Sequence, residues 1–381
     1  MNDLKPSYSL YGLARYFLKL GTFGFGGPPA LVSYMNRDLV EEKKWIREED
    51  YKEGLALAQL APGPLAAQLA IYLGYVDYRI VGATVAGLAF VLPSFIMVVL
   101  LGAAYVRFGG LPWVQAVFYG VGSAVIGIIA ISSYKLTVKT IGKDWMLWVI
   151  FLALWLFTFI LEEENLWLIL GSGILYWFIK SRSQTPSAKT FLGPFFLAAA
   201  VTPSEKLWQI AVFFAKAGAF VFGSGLAIVP FLYGGIVKDY HWLNEHQFLD
   251  AVAIAMITPG PVVITVGFIG YLVAGFPGAC VAALATFLPC YLFTVLPAPY
   301  FRKYGKHPGI KAFVSGITAA AVGAIAGAVC ILTKRQLTDW ITVAIAVVTV
   351  LLLLRFRKIQ EPYLILAAAL AGVMIKTILS R

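Results

Sequence analysis

The chain is poor in charge. Of its 381 residues only 13% are Asp, Glu, Lys or Arg, whereas 60% are hydrophobic; a soluble domain carries about 25% charged residues. That balance excludes a water-soluble enzyme. Carboxylates are scarcer than cations, and all nineteen lie in polar connections or at the ends of apolar runs, so no buried Asp/Glu proton relay is expected within the apolar segments. The three histidines, His241, His246 and His307, fall in loops, and no H-E-x-x-H or G-x-x-x-x-G-K-[S/T] motif occurs. Zinc hydrolysis and direct ATP hydrolysis are thereby set aside. Gly24-x-Gly26 follows no strand, so a dinucleotide loop fails on context. Cys280, Cys290 and Cys330 share no metal-type spacing and read as packing residues. Neither a cofactor nor a metal is expected. No short apolar core precedes a small-residue cleavage motif, which predicts that the N-terminus is retained.

What the chain does have is long apolar runs and a basic excess, 30 Lys+Arg against 19 Asp+Glu. In this setting the excess reads as cationic loops beside anionic lipid, not as a nucleic-acid surface. Spans are predicted near 9–35, 55–75, 80–106, 112–134, 145–161 and 165–180, and again near 207–237, 250–272, 276–298, 310–332, 338–354 and 360–378. They should be helices, because backbone in hydrocarbon must satisfy its own hydrogen bonds. A polar linker, 181–189, and an apolar patch from Phe191 to Val201 separate the two series. The expectation is an all-α polytopic membrane protein with 12–13 transmembrane segments: a first repeat over 1–180, a linker over 181–206 that forms an extra crossing in the thirteen-span case, and a second repeat over 207–381.

The two series are copies. Phe25-Gly26 matches Phe222-Gly223, Trp45 matches Trp242 and Pro62-Gly63-Pro64 matches Pro259-Gly260-Pro261, all at one offset (259 − 62 = 197). Beyond that stretch the offset falls by one, and Gly74-Tyr75 and Leu92-Pro93 meet Gly270-Tyr271 and Leu288-Pro289 (270 − 74 = 196). Loop charges favour two six-helix repeats of inverted topology. Glu162-Glu163-Glu164 follow the fifth span of one half, and Arg355, Arg357 and Lys358 follow that of the other. The basic loop over 36–54 votes the other way, although seven carboxylates accompany its cations.

Glycine and proline mark where chemistry is expected. Gly21, Gly24, Gly26, Gly27, Pro28 and Pro29 interrupt the first run, and Gly218, Gly223, Gly225 and Pro230 its copy. A glycine inside a helix costs about 1 kcal/mol against alanine and a proline about 3, so these runs are either broken or tightly packed. Each Pro-Gly-Pro ends a helix and lets another start at its last proline. Such a half-helix presents free amides and a positive dipole end, suited to an anion. Broken helices near the midplane are the expectation. Gln59 and Gln68 flank the first tripeptide, Thr258 and Thr265 the second, as hydrogen-bonding candidates. Lys19 and Lys216 are matched cations within the apolar runs, and could converge on a dianion from opposite leaflets; Arg15 lies one turn before Lys19, where the copy has Val212. Glu53 and Asp250, also matched, are candidates for proton coupling or gating, or else ordinary helix-start acids. Trp45 and Trp242 read as interface anchors.

Phe23-Gly24-Phe25-Gly26-Gly27-Pro28, the charged loop leading to Trp45, and Ala58-Gln59-Leu60-Ala61-Pro62-Gly63-Pro64 resemble the chromate transporter family. Phe222-Gly223-Ser224-Gly225 and Thr258-Pro259-Gly260-Pro261 resemble the second half of its long, two-domain form. The resemblance implies a multi-pass carrier of the plasma membrane that expels chromate, with sulfate as a related oxyanion, driven by membrane potential or a proton gradient, and with oppositely oriented halves. Substrate-binding candidates are then Lys19, Gly26, Gly27, Gln59, Pro62, Gly63, Pro64, Gln68, Lys216, Gly223, Ser224, Gly225, Thr258, Pro259, Gly260, Pro261 and Thr265. The expected partners are the oxyanion and the bilayer, with a homodimer allowed and no nucleic acid. Ser224-Gly225 stands where the first half has Gly27-Pro28, and Thr258 replaces Ala61, so a two-fold site would be asymmetric. Rival readings are a carrier of sulfate or another anion, a passive anion channel, and an intramembrane lipid enzyme, the last disfavoured by the lack of a buried nucleophile and base.

Overall fold

A computed structural model describes residues 8–25, 27–162, 166–181, 205–220, 222–223, 228–304, 307–337, 339–356 and 361–379. The described chain is almost wholly helical. The Phe191 to Val201 patch, Gly26, Ser224 and Gly225 lie outside the described residues.

In place of one rod over 9–35 the chain builds two short helices, α1 (Leu10–Phe23) and α2 (Gly27–Met35), the latter continuing as a π-helix, Asn36–Glu42. Ser9 caps α1 by accepting from Gly12 N at 3.0 Å, and fourteen residues give only about 21 Å of helix, short of a 30 Å hydrocarbon core. Tyr16 donates to Asp38 at 3.2 Å, although a straight helix would hold residues 22 apart at about 33 Å. The chain therefore folds back.

Helix α3 (Glu48–Leu60) and the first arm of α4 (Leu65–Phe108) do the same across Pro62-Gly63-Pro64. Gly54 packs so closely on the Tyr72 ring that a β-carbon would overlap it. A second reversal follows at Arg79, φ +53°, where Gly74 and Gly82 press backbone to backbone. From Ile80 the second arm of α4 runs unbroken to Phe108.

The second series repeats this course. Helix α8 (Glu205–Phe220) is answered by α9 (Ile228–Tyr233) and a π-helix, Gly234–Asp239, with Gly235 packed on the Phe213 ring. Asn244 and Gln247 form a reciprocal cap at the start of α10 (Glu245–Ile257). A short 3₁₀ turn, Val262–Ile264, then leads into α11 (Thr265–Val295). Asp250 and Phe268 both touch Tyr105, which a collinear α10 and α11 could not allow. Helix α11 turns back at Gly275, φ +63°. The expected spans at 9–35, 55–75, 207–237 and 250–272 are thus folded-back pairs. The interruptions foreseen there are real, but a single crossing at each is not what forms.

The second arm of α4 packs on both arms of α11, with Thr84 bonded to Tyr291 of the second arm at 2.8 Å and Gly102 against Tyr271 of the first. Beyond α12 (Ala298–Tyr304) come α13 (Pro308–Gln336), α14 (Trp340–Arg355) and α15 (Glu361–Leu379), as α5 (Pro112–Ile141), α6 (Trp145–Leu161) and α7 (Leu166–Ser181) follow α4. Helix α5 packs on α14 and α15, and α13 on α6 and α7. Small residues make these crossings close: Gly120 meets the Ala368 backbone and Gly323 that of Phe151. Among the described residues, five helices, within 65–108, 112–138, 262–301, 308–334 and 361–378, are long and apolar enough to cross a membrane, and α6, α7 and α14 are shorter apolar helices. Trp113, Trp145, Trp167 and Trp340, each in a first helical turn, are 61–86% exposed, the placement of an interfacial aromatic belt. The chain is an all-α membrane protein.

Candidate functional site

The four hairpin tips meet. Gly63 and Pro64 pair in parallel with Phe222 and Gly223, and Gly260 N donates to Gly24 O at 2.9 Å. At the offset of 197 these are reciprocal contacts: the Pro-Gly-Pro of each series joins the glycine-rich break of the other. Gly63 takes φ +139° and Gly260 φ +95°, backbone conformations that a β-carbon strains. Glycine between the prolines is thus a requirement of the junction.

Proline carbonyls here need donors, because Gly63, Pro64 and Pro259 to Pro261 are all buried. Gln68, wholly buried, donates Nε2 to Pro62 O at 2.8 Å. Ser94, from the second arm of α4, donates Oγ to Pro259 O at 2.8 Å. Their counterparts are Thr265 and Cys290. Cys290 lies beside Gly63, with its β-carbon 3.3 Å from where a β-carbon of residue 63 would stand. Each junction thus has one strong donor, supplied locally in one half and from across the halves in the other. A buried polar group left unpaired costs about 1–3 kcal/mol, which is reason enough for each donor. Gln68 Oε1 is buried with no partner in the described structure, an open acceptor beside the first tripeptide.

The backbone polarity is unequal. Residues 64 and 261, the N-caps of α4 and of the 3₁₀ turn, are prolines that offer no side-chain cap to the first-turn amides. The ends of α1, α3 and α10 are closed by Gly24 N on Leu20 O, Ala61 N on Leu57 O, and Thr258 N on Ile254 O. The pairing of 63–64 with 222–223 and the bond from Gly260 N engage backbone donors at the tips as well, and what suits an anion is the dipole polarity of the helix starts. Thr258 and Thr265 spend their hydroxyl protons on Ile254 O and Val262 O at 2.6 and 2.7 Å. Gln59 is exposed. In this conformation the Thr258 and Thr265 hydroxyls therefore serve their own segments, and sequence reasoning pointed to them because it sees no hydrogen-bond partners.

A cleft of about 870 Å³ lies along α1, lined by Gly24 and Phe25 at the break beside the junction and by Lys19 and Arg15 along the helix. Arg37 and Lys43 face it, with Asp38 and Glu42. Arg37 is paired with Asp38 at 2.7 Å and reaches Glu42 at 3.5 Å. Lys216, equivalent to Lys19 and likewise one turn from its break, is exposed and lines no part of this cleft.

Two long-range contacts mark the candidate mouths. At the first, Tyr8 stacks on Trp45 at 5.1 Å and donates to Asp77 at 2.7 Å. At the second, Tyr105 donates to the buried Asp250 at 2.6 Å. Glu53 is half-buried at the start of α3, and the residue matching Tyr105 is Phe301, which has no hydroxyl to offer it. Trp45 and Trp242 are half-buried, the former stacked on Tyr8 and the latter on Tyr240. Their rings find aromatic partners within the protein that the sequence could not place.

A family model described as "Chromate transporter" matches residues 11–177 and 208–373. The chain belongs to the chromate transporter family. It is 66% identical over 376 residues to the chromate transport protein of Cupriavidus metallidurans, with 97% of this chain and 94% of that one aligned. It is 60% identical over 378 residues to a probable chromate transport protein of Synechococcus elongatus, covering 97% and 96%, and 29% identical over 390 residues to the chromate transport protein of Pseudomonas aeruginosa, covering 96% and 92%. No solved structure matches. The chain is therefore a transporter and not an enzyme, and the family's two-region match falls on the two series of helices whose tips interlock.

Proposed function

We propose that this transporter expels chromate across the plasma membrane as a secondary carrier, with the oxyanion seated where the four hairpin tips meet. The observation that carries this reading is the reciprocal junction itself: half-helix starts without side-chain caps, brought together from both series beside a cleft lined by Lys19. The chromate assignment rests on the names of the relatives.

The halves, 1–180 and 207–381, are proposed to be inverted repeats. Support comes from the second arm of α4, which leaves the first mouth at Ile80 and meets Asp250 of the second mouth at Tyr105. About 25 residues of helix span roughly 38 Å, more than a hydrocarbon core, so the mouths belong to opposite faces. Rocking of one pair of hairpins against the other then alternates access. Lys19 supplies charge to the entering dianion, and Lys216 does so once the second mouth opens. Gly27, Pro62, Gly63, Pro64, Gly223, Pro259, Gly260 and Pro261 shape the seat, with Gly26, Ser224 and Gly225 assigned to it from sequence. Gln68, Thr258 and Thr265 fix its carbonyls, with Gln59 at its margin. The Asp250–Tyr105 bond latches the second mouth, and Glu53 holds the matching position at the first.

Uptake of labelled chromate and sulfate into inverted membrane vesicles, with and without a proton gradient, tests the reading. Accumulation against a chromate gradient is expected, lost in Lys19→Ala. Flux that only dissipates gradients identifies a channel instead, and unchanged transport in both Lys19→Ala and Lys216→Ala removes the charge assignment.

A further inference from the structure

Among the described residues, the wall of the cleft is not repeated in the second half. Along its wall, Arg15, Tyr16, Tyr34, Lys43 and Trp45 correspond at the offset of 197 to Val212, Phe213, Phe231, Tyr240 and Trp242. The latter close into one aromatic cluster. Phe213 stacks on Phe231 at 5.5 Å and meets Tyr240 and Trp242 edge-on at 5.7 and 5.8 Å, while Tyr240 stacks on Trp242 at 4.4 Å. Glycines take the places of Arg37 and Asp38, and the Phe213 ring fills the space over Gly235. Where the first half keeps a charged hollow, the second half is packed with rings.

The charges in the hollow are unbalanced. Four cations face two carboxylates, and both carboxylates are engaged by Arg37, with Tyr16 also on Asp38. Arg15 and Lys19 stand one helical turn apart, a spacing at which like charges repel by about 0.2–0.5 kcal/mol, and no carboxylate lies within 4 Å of either among the described residues. Lys43 rests over the Trp45 ring at 5.1 Å. Cations held together around a hollow, with fewer counter-charges than cations, are arranged for an anion that arrives from solution.

We propose that Arg15 and Lys43 form an outer capture site for a divalent oxyanion at the first mouth, ahead of Lys19 and the junction, and that the second mouth has none. The inference rests on the reading that an oxyanion reaches the junction. It adds that approach is charge-steered on one face only, so the two faces differ in how salt affects them. A unit charge attracts a dianion about 8 Å away by a factor of about five in water, and this attraction is screened within a Debye length of about 8 Å at physiological salt.

The test is chromate binding to the full chain in phosphatidylcholine nanodiscs, read as quenching of Trp45 fluorescence by chromate, whose near-ultraviolet absorption overlaps indole emission; the Trp45→Phe protein supplies the background. At low salt Arg15→Gln/Lys43→Gln is expected to need at least about fivefold more chromate than wild type, with the difference vanishing at high salt. Arg15→Lys, which keeps the charge, should bind as wild type does. In sealed vesicles of the two orientations, KM for chromate should depend on salt at the face bearing Arg15 and not at the other. Equal affinity of the double variant, or equal salt dependence on both faces, overturns the inference while the junction reading stands. A wild-type protein that binds no chromate removes both. Adding phosphatidylglycerol separates an oxyanion site from a lipid-headgroup site: a double variant that loses only anionic lipid, with chromate binding intact, also overturns the inference.

Discussion

Gly260→Ala bears most directly on the junction. A β-carbon at residue 260 would overlap Ser94 Oγ and lie 3.3 Å from Gly21 O, on a backbone whose φ is +95°. The strained backbone costs about 1–3 kcal/mol. Ser94 Oγ must also leave Pro259 O, which it now reaches at 2.8 Å, and an unpaired buried carbonyl adds about 1–3 kcal/mol. The expected loss is therefore about 2–6 kcal/mol, read from the midpoint of a detergent-denaturant titration followed by tryptophan fluorescence. Because Gly260→Ala and Ser94→Ala both break the same hydrogen bond, the double variant should fall short of additivity by about 1–3 kcal/mol. Gly63→Ala should be somewhat milder than Gly260→Ala, since its β-carbon would meet Gln68 Nε2 at 2.8 Å, a smaller overlap, although displacing Nε2 still weakens its bond to Pro62 O. Gly260→Ala as stable as wild type, or strict additivity with Ser94→Ala, would refute the reasoning.

Gln68→Thr should cost about 1–3 kcal/mol by stranding Pro62 O, and adding Cys290→Ser should restore part of that loss, because it recreates the donor that Ser94 provides in the other half; thermal unfolding of the three proteins decides it. Tyr105→Phe removes the hydroxyl that reaches Asp250 and should raise the labelling of Asp250 by a carbodiimide severalfold, as the second mouth loosens; unchanged labelling counts against a latch. Lys19→Gln should raise KM for chromate more than Lys216→Gln does, since only Lys19 lines the open cleft, and initial rates across chromate concentrations measure it. At the start of α14, the Asp339 carboxyl is held below the usual carboxylate range: desolvation raises it, but hydrogen bonds from the Thr342 amide and the Tyr119 hydroxyl outweigh that. A lowered folded-state value means that its stabilisation is complete above the usual carboxylate range and fades as pH falls through the folded one. Asp339→Asn should accordingly flatten the acid limb of a stability–pH curve.

Membrane class, helical content, the positions of the breaks and the motifs matched between the two series were all legible in the residue order. Each follows from local chemistry: apolar runs cannot face water, proline lacks a donor, and matched glycines at a fixed offset need no coordinates to be seen. Direction was not legible. A broken run at 9–35 reads the same whether the chain continues or reverses, and only Tyr16 meeting Asp38, or Gly54 meeting Tyr72, decides for reversal. Partners across the halves were equally hidden, because Ser94 and Pro259 are joined by folding and not by spacing. The same limit applies to side-chain roles. Thr258, Thr265 and Gln68 look like ligand donors in sequence, yet their protons are committed to carbonyls of their own segments. Charge at Lys19 and Lys216 is identical on paper, but tertiary packing set one in an open basic cleft and left the other outside it, because the ring cluster around Phe213 fills the space that Arg15 and Lys43 leave open in the first half.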